Sequence, residues 1–230
     1  VSGPESTNAS RRAKNRDGAV VPKSDRTRLA IRAAAVEFLQ VRPFREMTVA
    51  EVMAPTGLGR SAFYQYFADL HELIESLLNE VETNMHQTAN PWLSGEGEPI
   101  AALRDSLRAI VKAGVEHGPI FRAIKDAAPQ DNRLEQAWAA FMGRWDDAVE
   151  DRIKAQQHSG LVSKSLHARR IANALNTLDE AVVIAEFGRR PKGNPKKVLD
   201  TLHHIWVATL YGHKVDARAA GARRRRSSKS

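Results

Sequence analysis

The chain has no cysteine, few aromatic residues and no long apolar run, and each shortage removes a class of protein. Without cysteine there are no disulfides, no thiolate nucleophiles and no thiolate metal ligands, which allows life in a reducing compartment. No apolar run approaches the roughly 20 residues that a membrane-spanning helix needs. The first residues also lack the apolar centre of a secretory signal. The expectation is a cytoplasmic protein without a membrane partner. A phosphate-binding glycine loop, a nucleophile elbow and a zinc-hydrolase motif are missing too, so we expect no enzyme and no cofactor. What remains is a chain of 230 residues, 42% hydrophobic and 27% charged, long enough to bury a proper core.

Its net charge of +8 is unevenly placed. Residues 1–24 hold five Lys/Arg against two acids, +3, and residues 213–230 hold seven against one, +6. Residues 25–90 hold six against nine, −3, while residues 91–212 come to +2. Residues 1–24, with Arg11, Arg12, Lys14 and Arg16 and little that is apolar, read as a disordered basic arm. Residues 213–230, with Arg223–Arg226, read as a disordered basic tail. Such ends either touch an anionic surface such as nucleic acid or simply stay solvated.

Between them the periodicity is helical, with no strand signal and no internal repeat. Ile31, Ala35, Phe38 and Leu39 mark one face of a helix over Asp25–Val41, with Asp25 as N-cap and a stop before Pro43. Thr48 and Glu51 form a capping box, with Val49 and Val52 pointing inward. Gly57 can take the left-handed conformation that turns the chain. A second short helix is expected from Gly59 to Phe67, burying Phe63 and Phe67 and leaving Arg60, Ser61, Ala62, Tyr64, Gln65 and Tyr66 on or near the other face. Asp69, with Glu72 three on, caps a longer helix carrying Leu73, Ile74, Leu77, Leu78 and Val81. This is the layout of a helix-turn-helix that reads DNA.

Asn90, Pro91, Gly95, Gly97 and Pro99 then look like a linker. Five more helices are expected: Ile100–Glu116, Pro119–Ala127 begun by its proline, Leu134–Gln157, Leu166–Phe187 and Pro195–Tyr211. The fold class is therefore all-α, with about nine helices: an N-terminal helix-turn-helix domain over residues 25–88 and a C-terminal helical domain over 89–212.

The series Thr48-Val49, Val52, Gly57-Leu58, Phe63-Tyr64, Tyr66-Phe67, an acidic cap and Leu73 resembles the TetR family of bacterial regulators. The resemblance spans about 50 residues with the preceding helix and is specific in combination rather than piece by piece. It implies a homodimer that binds double-stranded operator DNA through Arg26, Arg28, Thr48, Gly59, Arg60, Ser61, Ala62, Tyr64, Gln65 and Tyr66. Three departures stand out. Gly59 replaces the usual Ser/Thr cap of the recognition helix, which weakens that cap. Pro55 removes a backbone donor and ends the preceding helix early. Leu70 stands where the family commonly has a lysine on phosphate, so one salt-sensitive contact is missing.

Trp138, Met142 and Trp145 share one helical face, either as core or as pocket wall. The stretches AWAAFMGRW, ALNTLDE and VLDTLHHIWVATLYG look most like a mycobacterial branch of the family with a long hydrophobic ligand tunnel. That likeness implies a ligand-binding domain in which Leu103, Leu107, Ile110, Gly114, Trp138, Phe141, Met142, Trp145, Asn176, Asp179 and Trp206 take a small hydrophobic effector. Leu103, Ile110 and Gly114 replace bulky aromatics and Asp179 replaces an asparagine, so the effector need not be shared. Asp179 could take an amine or hydroxyl donor, or carry a raised pKa in a dry site; the alternative is that Asp179 and Glu180 are exposed or at an interface.

Surplus apolar residues on the last two helices, Leu178, Val182, Val183, Ile184, Phe187, Leu202, Ile205 and Leu210, point to a dimer interface. His203 and His204 diverge by about 100° on a helix and do not share a metal. The run Asp146, Asp147, Glu150 and Asp151 lacks partner-helix ligands and reads as a solvated acidic face. Together these readings predict a dimeric transcriptional repressor that leaves its operator when a lipophilic effector binds. The alternative is a helical small-molecule-binding or metabolic protein with an incidental helix-turn-helix.

Overall fold

The computed structural model describes the backbone of residues 23–86 and 90–227 and the side chains of residues 24–85 and 90–212. Most of the expected basic arm, and the side chains of the expected tail, lie outside the described residues. Among the described residues there are nine α-helices and no strand.

Helix α1 (Lys23–Val41) begins two residues before Asp25, which therefore sits in the first turn rather than capping it. An acid there still faces the positive end of the helix dipole. Ile31, Ala35 and Leu39 are its buried row. Helix α2 (Val49–Met53) starts at Thr48, whose hydroxyl accepts the Glu51 amide at 3.3 Å and donates to the Glu51 carboxylate at 2.8 Å. Pro55 has the expected effect: the α-helix stops at Met53 and tightens into a 3-10 turn, closed by Gly57 at φ 69°.

Helix α3 (Arg60–Phe63) is one turn long, shorter than the expected run to Phe67. Gly59 supplies no side-chain cap, and beyond Phe63 the Tyr66 amide bonds back only three residues. Phe63 and Phe67 are nevertheless buried, with ring centres 5.7 Å apart. Helix α4 (Leu70–His86) has a reciprocal cap: Asp69 accepts the Glu72 amide at 2.8 Å and Glu72 accepts the Ala68 amide at 2.5 Å. All five of its expected core residues are buried.

The expected linker is instead a docked turn of helix, α5 (Pro91–Ser94). Asn90 caps it, accepting the Leu93 amide at 3.2 Å, and Pro91 occupies the first turn, where no donor is lost. Trp92 then plugs the core, its indole nitrogen donating to the Tyr211 hydroxyl at 2.9 Å, which in turn donates to Gln156 at 2.8 Å.

The largest correction concerns α6 (Pro99–Ala127), a single helix where two were expected. Pro119 lies in its interior and leaves the Val115 carbonyl without its usual amide partner. The Lys192 ammonium fills that vacancy by donating to Val115 O. At about 1.5 Å per residue the 29 residues of α6 span roughly 43 Å. It packs against α1, α4 and α5 and against the three helices that follow, so the core is built around it.

Those three are α7 (Asn132–His158), α8 (Ala168–Phe187) and α9 (Pro195–Ser227). The first two lie within two residues of expectation at each end. The backbone of α9 runs on helically past Tyr211, through a stretch rich in the helix formers alanine and arginine. Among the described residues no helix is long and apolar enough to cross a membrane.

Candidate functional site

Two regions carry the residues singled out from sequence. On the small N-terminal bundle, Gly59, Arg60, Ser61, Tyr64 and Gln65 are exposed around α3, and Tyr64 keeps 60% of its surface in solvent. Ala62 and Tyr66 are half-buried against the core. Thr48 is exposed at the start of α2, and Arg26 and Arg28 lie on α1, with the Arg28 guanidinium 5.3 Å from the centre of the Phe67 ring.

The larger body holds the second region, an apolar pocket partly open to solvent. Its space for the centres of water molecules is about 90 Å³, well beyond a packing defect that holds one water, roughly 10–15 Å³. Leu103, Leu107, Ile110 and Phe121 form the α6 wall, and Trp138, Phe141, Met142, Trp145 and Val149 the α7 wall. Asn176, Asp179 and Val183 come from α8, Trp206 from α9, and Trp92 from α5. Met85, on the last turns of α4, also lines it. Ten of the eleven expected residues are thus brought together.

Gly114 is the exception. A Cβ there would lie 2.8 Å from Val183 Cγ1 and 2.9 Å from Phe187 Cδ2, and one at Gly118 would lie 2.5 Å from the Phe187 carbonyl oxygen. These two glycines, one turn apart, let α8 press onto α6, so Gly114 is a packing residue outside the pocket. Trp92, Phe121 and Met85 were missed. The Asn90-Pro91 cap signal could have exposed Trp92 as part of a helix, whereas nothing in the sequence marks Met85.

The polar groups of the lining are mostly committed. The Asn176 amide donates to Asp146 at 2.8 Å, and Asn173 donates to the same carboxylate at 2.9 Å. Asp146 is buried, not part of a solvated acidic face; Asp147 and Asp151 are exposed and Glu150 is half-buried, with Asp147 and Glu150 both paired with Arg169. Glu180 is held by Lys125 at 2.5 Å. Ser106 accepts the Trp92 amide at 3.1 Å and donates to Asn90 at 2.6 Å.

Asp179 is different. It is 4% exposed; one carboxyl oxygen accepts the Trp206 indole N–H at 3.0 Å and the other has no partner. Burial pushes its pKa up from 3.8 to about 7, against the opposing pull of the Trp206 bond. The Trp138 indole nitrogen is also buried without a partner. One free carboxyl with no second free titratable group beside it does not make an acid–base pair. His203 is engaged by Arg104 and the Ile100 carbonyl. Among the described residues no cluster of three His, Asp or Glu could hold a metal.

Ion pairs link the pocket's α7 wall to α4. The Arg133 guanidinium of α7 reaches Asp69, the cap of α4, at 2.9 Å and Asp131, the cap of α7, at 2.8 Å. Arg133 chiefly is what holds the Asp131 carboxyl down at about 2. Near the other end of α4, Glu82 pairs with Arg144 of α7 at 2.5 Å. The helix that carries four aromatic or methionine walls of the pocket therefore grips α4 at both ends.

The expected dimer surface is narrower than the sequence implied. Val183, Phe187, Leu202 and Leu210 are buried inside the chain itself, leaving Leu178, Val182, Ile184 and Ile205 half-buried on α8 and α9.

Comparison with known proteins agrees with this layout. Residues 103–212 match the family model described as the C-terminal domain of transcriptional regulator EthR. The HTH-type transcriptional regulator EthR of Mycobacterium tuberculosis is 29% identical over 196 residues, covering 83% of this chain and 90% of that one. Its counterpart from Mycolicibacterium smegmatis is 27% identical, covering 83% and 89%. Among solved structures, the MbdR regulator from Azoarcus sp. CIB superposes with a TM-score of 0.67 at 19% identity, over 80% of this chain and 98% of that one. NalD, the secondary repressor of the MexAB-OprM efflux pump in Pseudomonas aeruginosa, superposes at 0.61 and 18% identity, over 82% and 98%.

Proposed function

We propose that this chain, which is similar to EthR over most of its length, is a TetR-type transcriptional regulator: a dimeric repressor released from operator DNA by a lipophilic effector. The observation that carries this reading is the shared helix: α7 supplies Trp138, Phe141, Met142 and Trp145 to the pocket and holds α4, whose first turn follows the recognition helix. The name of NalD as a repressor supports the sign of the regulation.

In the DNA-bound state Arg60, Ser61, Tyr64 and Gln65 meet base edges and phosphates, while Thr48, Gly59, Ala62 and Tyr66 set the approach of the backbone. Arg26 and Arg28 add phosphate contacts from α1. The half-buried apolar residues of α8 and α9 pair two chains, which spaces two readers about 34–36 Å apart, one turn of DNA. Effector filling the pocket pushes α7 and Met85, tilts α4 and spoils that spacing. Release requires that the effector bind the tilted state more tightly; tenfold in operator affinity needs about 1.4 kcal/mol of preference.

The reader is poor in charge. Residues 25–90 are net −3 and Leu70 offers no ammonium to phosphate, so residues 1–24 supply attraction that the domain lacks. A gel shift with duplexes from upstream of the protein's own gene tests the reading. A salt-sensitive, sequence-selective shift supports it, and its absence from every palindromic site contradicts it. Trp145→Ala should then leave the shift intact while abolishing the response to a lipophilic ligand.

A further inference from the structure

We propose that the pocket selects a lipophilic amine, whose ammonium docks on the unpartnered carboxyl oxygen of Asp179. This rests on the reading of the pocket as an effector site and names the class of effector.

The argument starts from what Asp179 lacks. Its Oδ1 takes the Trp206 indole N–H at 3.0 Å, and its Oδ2 is buried without any partner. A buried carboxyl left half-satisfied costs stability unless something else supplies a donor or a charge. Among the described residues, nothing on the neighbouring elements does so. On α8, the adjacent Glu180 is neutralised by Lys125 of α6. On α7, Asp146 is occupied by Asn173 and Asn176, and α9 contributes the Trp206 donor already counted. From α4 and α5 the lining residues are Met85, Trp92 and Leu93, and among the described lining there is no lysine, arginine or histidine.

The rest of the pocket suits a cation with an apolar body. Trp92, Phe121, Trp138, Phe141, Trp145 and Trp206 surround the space, and the faces of such rings attract ammonium groups. Once Asp179 is ionised, a hydroxyl would give Oδ2 a donor but leave the negative charge uncompensated. An ammonium gives both the donor and the charge, and its alkyl or aryl remainder takes the apolar walls. The empty pocket meets the cost by holding Asp179 largely protonated up to about pH 7, because burial raises its pKa. Docking an ammonium therefore expels that proton.

The probes are 4-phenylbutylamine and its neutral counterpart 4-phenylbutanol, titrated against the full chain by tryptophan fluorescence. Around pH 8 the amine should bind at least tenfold more tightly than the alcohol. Between pH 6 and pH 8 amine affinity should rise about tenfold, since Asp179 ionises across that range while an alkylamine stays charged to about pH 10. Alcohol affinity should not rise. Asp179→Asn should erase both the preference and the pH dependence and still bind the alcohol, which also reports that the variant is folded. In wild type, calorimetry in two buffers of different ionisation enthalpy should show about half a proton released per amine bound near pH 7. Equal affinities for the two probes, a preference that survives Asp179→Asn, no proton release, or no binding of either probe would each overturn the proposal. If the amine binds as described while operator affinity stays unchanged, the effector class stands and the regulatory reading fails. If the alcohol releases DNA as well as the amine does, the reverse holds.

Discussion

Asp179→Asn should stabilise the folded chain, and by an amount that grows with pH. The asparagine has the same shape and its carbonyl still accepts the Trp206 indole N–H, but it cannot ionise. In the folded protein burial holds the Asp179 pKa near 7, whereas an unfolded aspartate titrates near 3.8. Between those values the unfolded chain has lost a proton that the folded chain keeps. Folding then takes up a proton, so the wild-type chain loses stability as pH rises from about 4 to 7 and levels off above. At about 1.4 kcal/mol for each tenfold in proton affinity, the full penalty is about 4 kcal/mol above pH 7 and under 2 kcal/mol near pH 5. For a chain of this length 1 kcal/mol moves Tm by roughly 2–4 °C, so the gap between variant and wild type should widen by several degrees between pH 5 and pH 8. The asparagine NH2 brings its own need for a partner, which lowers the whole difference without changing its slope. Thermal melts of both proteins at constant ionic strength measure that slope. Parallel curves across the range would refute a buried, unpaired Asp179.

The other predictions concern packing, coupling and DNA contact. Gly114→Ala should destabilise by about 1–3 kcal/mol, because its methyl must displace Val183 and Phe187; an unchanged Tm would show that α6 and α8 are not pressed together there. Lys192→Met should cost about 1–3 kcal/mol by orphaning the Val115 carbonyl beside Pro119, read as a lower denaturant midpoint; no change would mean another donor serves it. Arg133→Ala breaks a mostly exposed pair, so the denaturant midpoint should hardly move. The effector-induced loss of operator affinity should shrink in that variant, and undiminished release would place the coupling elsewhere. Arg60→Ala should weaken operator binding and lower the slope of log affinity against log salt by about 1; an unchanged slope would remove Arg60 from the phosphate contacts.

The reader was legible from sequence because its determinants are local. A capping box at Thr48, a left-handed glycine at Gly57 and the Phe63/Phe67 pair each act over five residues or fewer. At the α7 wall the helical spacing of Trp138, Met142 and Trp145 marked one shared face, but only the family resemblance pointed to a pocket rather than plain core. Where the reading failed, the cause lay far away in the chain. Pro119 looked like a helix start because the lysine that lets it sit mid-helix is 73 positions on, at Lys192. Gly114 was placed in the pocket by the resemblance alone, and the α8 side chains that leave no room for a Cβ there are not its sequence neighbours. The Asn90–Pro99 stretch looked like a linker because the hydroxyl that receives Trp92 belongs to Tyr211. Half of the expected dimer surface proved to be the chain's own core, since an apolar stripe does not say which neighbour covers it.

The claim at the centre is that one helix transmits pocket occupancy to the DNA reader. The direct measurement is fluorescence anisotropy of a labelled upstream operator duplex titrated with the protein, with and without a ligand that tryptophan quenching shows to fill the pocket. We expect operator affinity to fall at least tenfold when the pocket is full. An unchanged operator affinity at demonstrated saturation of the pocket would contradict the account.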